Sequence, residues 1–328
     1  MDKNTDKNMQ NAEDNKKTGI IKGICISEKK GTQKHTVPQA ELKENFGIVN
    51  DAHAGNWHRQ VSLLSFEKIE EFRARGAKVD FGAFGENLIV DGFDFRNLPV
   101  GSRFVCGDVL LEMTQIGKEC HSHCAIYHAM GDCIMPREGV FVKVLKGGVI
   151  KEGDEMVLLP LDMNRPLTAA VITVSDKGAK GEREDKSGPV LTEALQNAEY
   201  DVIETMVVPD EKNMLIRQLS RLADQRQVNL ILTTGGTGFA ERDVTPEATM
   251  AVATKNAPGI AEAVRAYSMT ITDRAMLSRE ASVIRNQTLI VNLPGSPKAA
   301  KECVDFVLPA LKHGIEILTG RAGECARN

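Results

Sequence analysis

The chain has 328 residues, 42% hydrophobic and 26% charged, with 41 Lys and Arg against 45 Asp and Glu for a net charge of −4. This is the composition of an ordinary globular protein, which excludes collagenous, coiled-coil and wholly disordered classes; at roughly 100–200 residues per domain the length predicts two domains. The slight negative charge offers no overall attraction to nucleic acid or anionic lipid, and no run approaches the ~18 apolar residues of a membrane span, so neither partner is expected.

The first residues, MDKNTDKNMQNAEDNKK, are polar throughout and lack the apolar core of a signal peptide, so residues 1–18 are predicted to be a disordered tail. From Gly19 to Pro160 the apolar runs are short and punctuated by glycine: GIIKGICIS, QVSLLSF, ENLIVDGFDF, RFVCGDVLLEMTQIG, GVFVKVLKGG and GDEMVLLP. In VLLEMT, Val109, Leu111 and Met113 alternate with Leu110, Glu112 and Thr114, the period of a strand. Many short strands with glycine punctuation predict a mainly-β barrel or sandwich over residues 19–160. One helix interrupts them, from Ser65 to about Arg75, with Phe66, Ile69 and Phe72 at helical spacing. Cys25 and Cys106 lie inside strands and are expected in the core, and Trp57 reads as amphipathic surface.

Residues 117–133, GKECHSHCAIYHAMGDC, hold three of the seven cysteines and three of the seven histidines. If helical, they place Cys120, His123, Cys124 and His128 on one face, within roughly 140°. Two readings stand at this point: a zinc site of thiolates and imidazoles, or a reactive thiol with neighbours that tune it. An odd, clustered set of cysteines makes a poor disulfide framework and predicts reduced thiols in a cytoplasmic protein.

Residues 161–167 read as a linker, after which the pattern changes. TAAVITVSD, NLILTTGG and TLIVNLPGS are near-continuous apolar strands, and helical runs separate them, such as Glu211 to Ala223 with Leu215, Leu219 and Leu222. This order predicts, for residues 168–328, an α/β domain with a mostly parallel sheet flanked by helices. Ser296 and Pro297 mark the start of a final helix, which Pro309 is expected to kink or divide.

Ligands of such sheets bind beyond the carboxyl ends of the strands. There the sequence places Ser175 and Asp176, Asp210, the loop with Gly235, Gly236 and Gly238, and helix starts at Ser187-Gly188-Pro189 and Thr245-Pro246. Glycine loops, helix N-termini and carboxylates together suit a phosphate ligand with Mg²⁺. The loop lacks the lysine of GxxxxGK[ST], so P-loop chemistry is not expected. Each residue also has a structural reading: Asp210 as a helix cap, Asp243 as a turn residue, Glu247 as compensation for a helix dipole.

TVSDKG, SGP, VVPDE, LILTTGGTGFAERDVTPEAT, AMLSR and LIVNLPGSPKAAKEC, in this order, resemble the MogA/MoaB family of molybdopterin adenylyltransferases over residues 168–320. The resemblance implies a domain that trimerises and transfers AMP from Mg-ATP to the terminal phosphate of molybdopterin, releasing pyrophosphate and supplying a MoeA-type metal insertase. By position, Asp210 and Asp243 are then the catalytic acids that hold Mg²⁺. Thr234, Gly235, Gly236, Thr237 and Gly238 would cradle phosphate or pterin. Ser175, Asp176, Ser187, Gly188, Glu247, Asn292, Pro294, Gly295 and Ser296 would contact pterin or nucleotide.

In the first half, IVNDAHAGNWHRQVSLLSFE, FGENLIVDGFD, LPVGSRFVCGDVLLEMTQIGKEC and REGVFVKVLKGGVIKEGDEM resemble the MOSC domain, found at the C-terminus of molybdenum cofactor sulfurases. The resemblance implies a barrel that binds molybdenum or tungsten cofactor or carries sulfur to it. Cys120 matches the reactive cysteine, with Lys118, His121 and His123 placed to lower its pKa. Asp51, His53 and Arg59 match the cofactor pocket, where Arg59 would pair with phosphate. Asn50 stands where the motif leads one to expect glycine, and Cys124 and Cys133 are extra sulfurs. His53 also reads as a packed histidine; Cys303 and Cys325 are given no role.

The leading expectation is therefore a bifunctional enzyme of molybdenum cofactor biosynthesis. The alternatives are a non-catalytic protein that binds and passes on molybdopterin, a barrel acting as a cofactor-dependent reductase, or a zinc site at residues 117–133 that only stabilises the barrel.

Overall fold

A computed structural model describes residues 17–120 and 125–322, and the expectations for residues 1–16, His121, His123, Cys124 and Cys325 lie outside them. The chain divides into two compact units between Asp162 and Met163.

The first unit contains β1 (Thr18–Ile26), β2 (His35–Val37), β3 (Gln39–Lys43), β4 (Gly47–Ile48), β5 (Val61–Ser65), α1 (Phe66–Ala74), β6 (Leu88–Asp91), β7 (Arg103–Cys106) and β8 (Val109–Ile116). Then come α2 (Ala125–Met130), α3 (Met135–Glu138), β9 (Val140–Lys146), β10 (Gly148–Lys151) and β11 (Glu155–Leu158). Seven strands close a barrel in the order β1-β6-β5-β9-β8-β7-β11, and β11 returns to β1. One strand, β1, makes the closure possible by bending. It pairs with β11 through Thr18 to Ile20, with β6 through Ile20 to Ile24 across a bulge at Ile21/Gly23, and with β2 through Ile24 to Ile26. Thr18, expected in the tail, thus belongs to the barrel, and the Lys17 carbonyl accepts from the Leu158 N–H at 3.0 Å.

Alternation along β8 turns Val109, Leu111 and Met113 inward. They join Phe93, Phe95 and Phe104, whose ring centroids lie 5.4 to 5.6 Å apart. α1 buries Ile69 and Phe72 as its spacing requires. Cys25 and Cys106 are buried, and desolvation pushes their thiols up to about 12 and about 11.

The second unit holds β12 (Thr168–Val174), α4 (Asp176–Ala179), α5 (Ser187–Asn197), β13 (Asp201–Val208), α6 (Lys212–Ser220), β14 (Leu230–Thr234), α7 (Thr245–Ala251) and β15 (Lys255–Asn256). It ends with α8 (Pro258–Met269), β16 (Ser282–Arg285), β17 (Thr288–Leu293) and α9 (Pro297–Leu318). The sheet order is β13-β12-β14-β17-β16-β15. The first four strands are parallel, while β16 and β15 extend the sheet antiparallel, so it is mixed at one edge.

Both faces are covered, which is why the strands read as continuous apolar runs. Ala169, Val171, Leu230 and Leu232 pack under α5, α8 and α9, whereas Ala170, Ile172, Val174 and Ile231 pack under α6 and α7. The adjacent strands β12 and β14 therefore lead to helices on opposite faces. That switch point opens a crevice at their carboxyl ends.

Pro309 does not divide α9, which runs unbroken over 22 residues. The ring sits on the exposed side, and the carbonyl it leaves without a helical partner belongs to exposed Asp305. Val304, Val307, Leu308 and Leu311 are buried on both sides of it. Pro309→Ala is expected to stabilise this unit by about 1–3 kcal/mol, read as a higher urea midpoint. An unchanged or lower midpoint would mean that the ring's restriction of the unfolded chain outweighs the missing bond. No helix among the described residues is long and apolar enough to cross a membrane.

Candidate functional site

At the switch point lies a cleft of about 810 Å³, within the range of small-molecule sites. Its floor is made by the ends of β12 and β14, and its walls by Asp210, Asp243, Ser187, Gly295 and the loop 183–186. Asp176 and Asp210 lock two strand ends together. The Asp176 N–H donates to Asp210 Oδ2 at 2.8 Å, and the Asp210 N–H donates to Asp176 Oδ1 at 3.0 Å. Asp210 is not the cap of α6, since Glu211 holds that position. Burial, and then the charges of Asp176 and Asp243, push the Asp210 carboxyl above the usual carboxylate range. Arg242 grips Asp176 with two hydrogen bonds of 3.0 and 2.7 Å, and that pairing draws the Asp176 carboxyl down.

Gly235 and Gly236 adopt φ of +98° and +63°, a region that disfavours side chains. A Cβ on Gly236 would stand 2.4 Å from Thr245 Oγ1 and 3.1 Å from Asp210 Oδ1. The loop therefore needs glycine both for its turn and for the approach of the acid. Asp243 Oδ2 accepts from the Ala240 N–H at 2.9 Å, so it serves the turn and also faces the cleft. Arg279 secures this loop by donating to the carbonyls of Gly238 and Asp243 and to the Glu247 carboxylate.

The remaining expected residues divide into two groups. Ser175, Ser187, Thr234, Gly235, Gly236, Gly295 and Ser296 line the cleft beside Asp210 and Asp243, and the Gly188 N–H lies just behind its wall. Thr237, Gly238 and Pro294 line a separate pocket of about 300 Å³. Glu247 lies outside the cleft with its carboxylate on Arg279, and Asn292 is fully buried, donating to Thr233 and Thr249 at 2.9 and 2.8 Å. The start of α5 is not open to a ligand: Asp185 Oδ1 accepts the Ser187 and Gly188 N–H groups at 3.0 Å each, and Asp185 Oδ2 accepts from Thr173 Oγ1. Arg183, Asp185 and Lys186 were missed by the sequence reading, although the charged run GEREDK joins two of its motifs.

A second cleft, of about 310 Å³, opens on the first unit, with Lys34, His53, Trp57, Arg59, Lys118 and Phe141 among its lining. The Arg59 guanidinium sits over the Trp57 ring at 4.7 Å and the Phe141 ring at 5.5 Å. Trp57 is thus part of the cleft rather than idle surface; its Nε1–H donates to the His53 carbonyl at 3.0 Å. Asp51 lies beneath, where its carboxylate accepts Lys34 Nζ at 2.9 Å and the Ser27 N–H at 2.9 Å, with His53 Nδ1 at 3.7 Å. Burial alone would raise the Asp51 carboxyl, but His53, Lys34 and the Ser27 N–H hold it well below the usual range. Asn50, standing for the expected glycine, has φ of +66°, a conformation asparagine tolerates better than most residues.

Of the residues considered for one helical face, Cys120 lies outside a helix: Gly117 turns out of β8 at φ +67° and residues 117–120 are not helical, while His128 lies on α2 and His123 and Cys124 fall outside the described residues. Cys120 is an exposed thiol two residues from Lys118 of the cleft, whereas Cys133 is buried. Among the described residues no three His, Cys, Asp or Glu side chains are grouped to hold a metal unaided.

Residues 170–313 match a family model described as a probable molybdopterin binding domain, and residues 50–157 match the MOSC domain. The molybdopterin adenylyltransferase of Helicobacter pylori (strain J99) is 40% identical over 152 residues, covering 46% of this chain and 86% of that protein. Its counterpart in Escherichia coli (strain K12) is 43% identical over 155 residues, covering 45% and 80%. Among solved structures, the molybdopterin biosynthesis enzyme MoaB of Thermus thermophilus is 42% identical, covers 48% of this chain and 99% of its own, and has a TM-score of 0.46.

Proposed function

The chain belongs to the MogA/MoaB family of molybdopterin adenylyltransferases in its second half and carries a MOSC domain ahead of it, and we propose that its second unit transfers AMP from Mg-ATP to the terminal phosphate of molybdopterin. The observation that carries this reading is the convergence of Asp210 and Asp243 on the glycine loop at the switch-point cleft. Two carboxylates offer the hard oxygen donors that suit Mg²⁺, and substrate phosphates and water complete such a shell. When bound, Mg²⁺ supplies positive charge to offset the triphosphate.

The protein's own groups then do the positioning. Asp176 fixes Asp210 through the paired backbone bonds, Arg279 fixes Asp243, and the turn at Gly235 and Gly236 leaves room for phosphate oxygens beside the acids. The attacking molybdopterin phosphate is already anionic, so no general base is required, and rate comes from alignment and electrostatics. The test is pyrophosphate release from ATP plus molybdopterin. A protein that only binds and passes on the pterin would release none.

For the first unit we propose binding of the cofactor's phosphate by Arg59, Lys118 and His53, with the Cys120 thiolate carrying sulfur or ligating the metal. Mass spectrometry of the full chain after exposure to molybdopterin and ATP, with Cys120→Ser as control, reads both the product and any adduct on this thiol. We further propose that the protein works in the cytoplasm as a homotrimer through the second unit, supplying a MoeA-type insertase. Exposed Phe239, Met269, Ile271, Met276 and Leu277 on that unit support self-association.

A further inference from the structure

We propose that Arg183 and Lys186, on the loop between α4 and α5, hold the polyphosphate end of the nucleotide and take up the charge of the departing pyrophosphate. This rests on reading the second unit as an adenylyltransferase, and it adds the groups that balance the leaving group.

Charge is the first argument. The cleft is lined by Glu184, Asp185, Asp210 and Asp243 against only Arg183 and Lys186, yet both substrates of the reaction bring negative phosphates. A divalent ion on Asp210 and Asp243 offsets part of the triphosphate and leaves the rest uncompensated. Two other nearby cations are already engaged, Arg242 on Asp176 and Arg279 on Glu247. Among the described residues Arg183 and Lys186 form no ion pair. The N–H groups at the starts of the flanking helices are no substitute, because Asp185 takes those of Ser187 and Gly188, and the Gly236 carbonyl takes that of Thr245.

Placement is the second argument. Arg183 Nη2 donates to Ser175 Oγ at 3.1 Å, and the same oxygen accepts the Gly178 N–H at 3.1 Å. A neutral hydroxyl thus anchors the guanidinium at the end of β12 without neutralising it, and its other N–H groups stay available for a forked phosphate contact. In the step itself, an oxygen of the molybdopterin phosphate bonds to the α-phosphorus. The bond from that phosphorus to the bridging oxygen breaks, and its electron pair leaves with pyrophosphate. No proton transfer or redox partner is needed, and the charge gathering on the β-phosphate is what two cations would stabilise.

The test uses the full chain with R183Q, K186Q, the double variant and R183K. Each Gln variant is expected to weaken calorimetric binding of magnesium pyrophosphate, and to raise the ATP KM and the inhibition constant of added pyrophosphate, by roughly tenfold to hundredfold. The molybdopterin KM should stay within about twofold, and R183K should recover part of the loss. Unchanged pyrophosphate binding in the double variant, or a shift confined to the molybdopterin KM, overturns the assignment. Failure of the wild type to release pyrophosphate, while the variants still bind it more weakly, would instead sink the adenylyltransferase reading and leave the phosphate contact standing.

Discussion

Asp210→Asn is expected to cut pyrophosphate release by roughly 10²–10³-fold while leaving the protein folded and, at neutral pH, slightly more stable than the wild type. The two halves of that result have one cause. The Asp210 carboxyl is pushed up by burial and by the charges of Asp176 and Asp243, so the folded state holds its proton more tightly than the unfolded chain does. For such an acid the folded state is favoured at low pH and loses stability as pH rises from the unfolded carboxylate pKa of about 4 through the higher folded value. Asparagine removes that loss, and its amide oxygen still accepts the Asp176 N–H. It cannot supply a charged oxygen to Mg²⁺. Thermal scans with and without Mg-ATP check this: nucleotide and metal should raise the wild-type midpoint more than that of the variant. Asp243→Asn should lose turnover likewise, with pterin binding largely kept. Full turnover by either variant would remove the acid concerned from the chemistry.

What the sequence made legible was local. The glycines of TTGGTG, the acids of VVPDE and ERDVTPE, and the alternation in VLLEMT each carry their meaning within a few residues, and the structure places those two acids on one cleft. What stayed hidden depends on contacts distant in the chain. Lys34 lies in a polar stretch that reads as a loop, and its importance appears only when Asp51, 17 residues later, folds against it. Thr237, Gly238 and Pro294 belong to expected motifs yet turn toward another pocket, because a loop can present successive residues to different sides. Arg183 and Asp185 fall between two motifs, where a charged run ordinarily reads as solvated surface. Cys120 drops out of the helical face considered for residues 117–133, since Gly117 turns left-handed at the end of β8 and residues 117–120 are not helical. Pro309 shows the reverse case: α9 runs through it undivided, with buried contacts on both sides of the exposed ring.

The second large effect lies in the barrel. Lys34→Met should destabilise the first unit by about 3–5 kcal/mol, since it strips the cation from a buried carboxylate while keeping a side chain of similar length. The two side chains are only 1% and 0% exposed, so neither water nor salt can replace the lost partner. The chain's single tryptophan, Trp57, lies in this unit, so urea unfolding followed by its fluorescence reports on the first unit alone. Acid dependence separates this mechanism from simple loss of packing. The Asp51 carboxyl is depressed in the folded state, so its contribution is fully present above the unfolded pKa of about 4 and is lost as pH falls through the folded value. Without Lys34 that carboxyl titrates at higher pH and becomes neutral earlier. The gap between wild type and variant should therefore be widest near neutral pH and narrow in acid. A gap that is constant from pH 3 to 7 would assign the cost to packing, and a gap below about 1 kcal/mol would deny the pair a structural role.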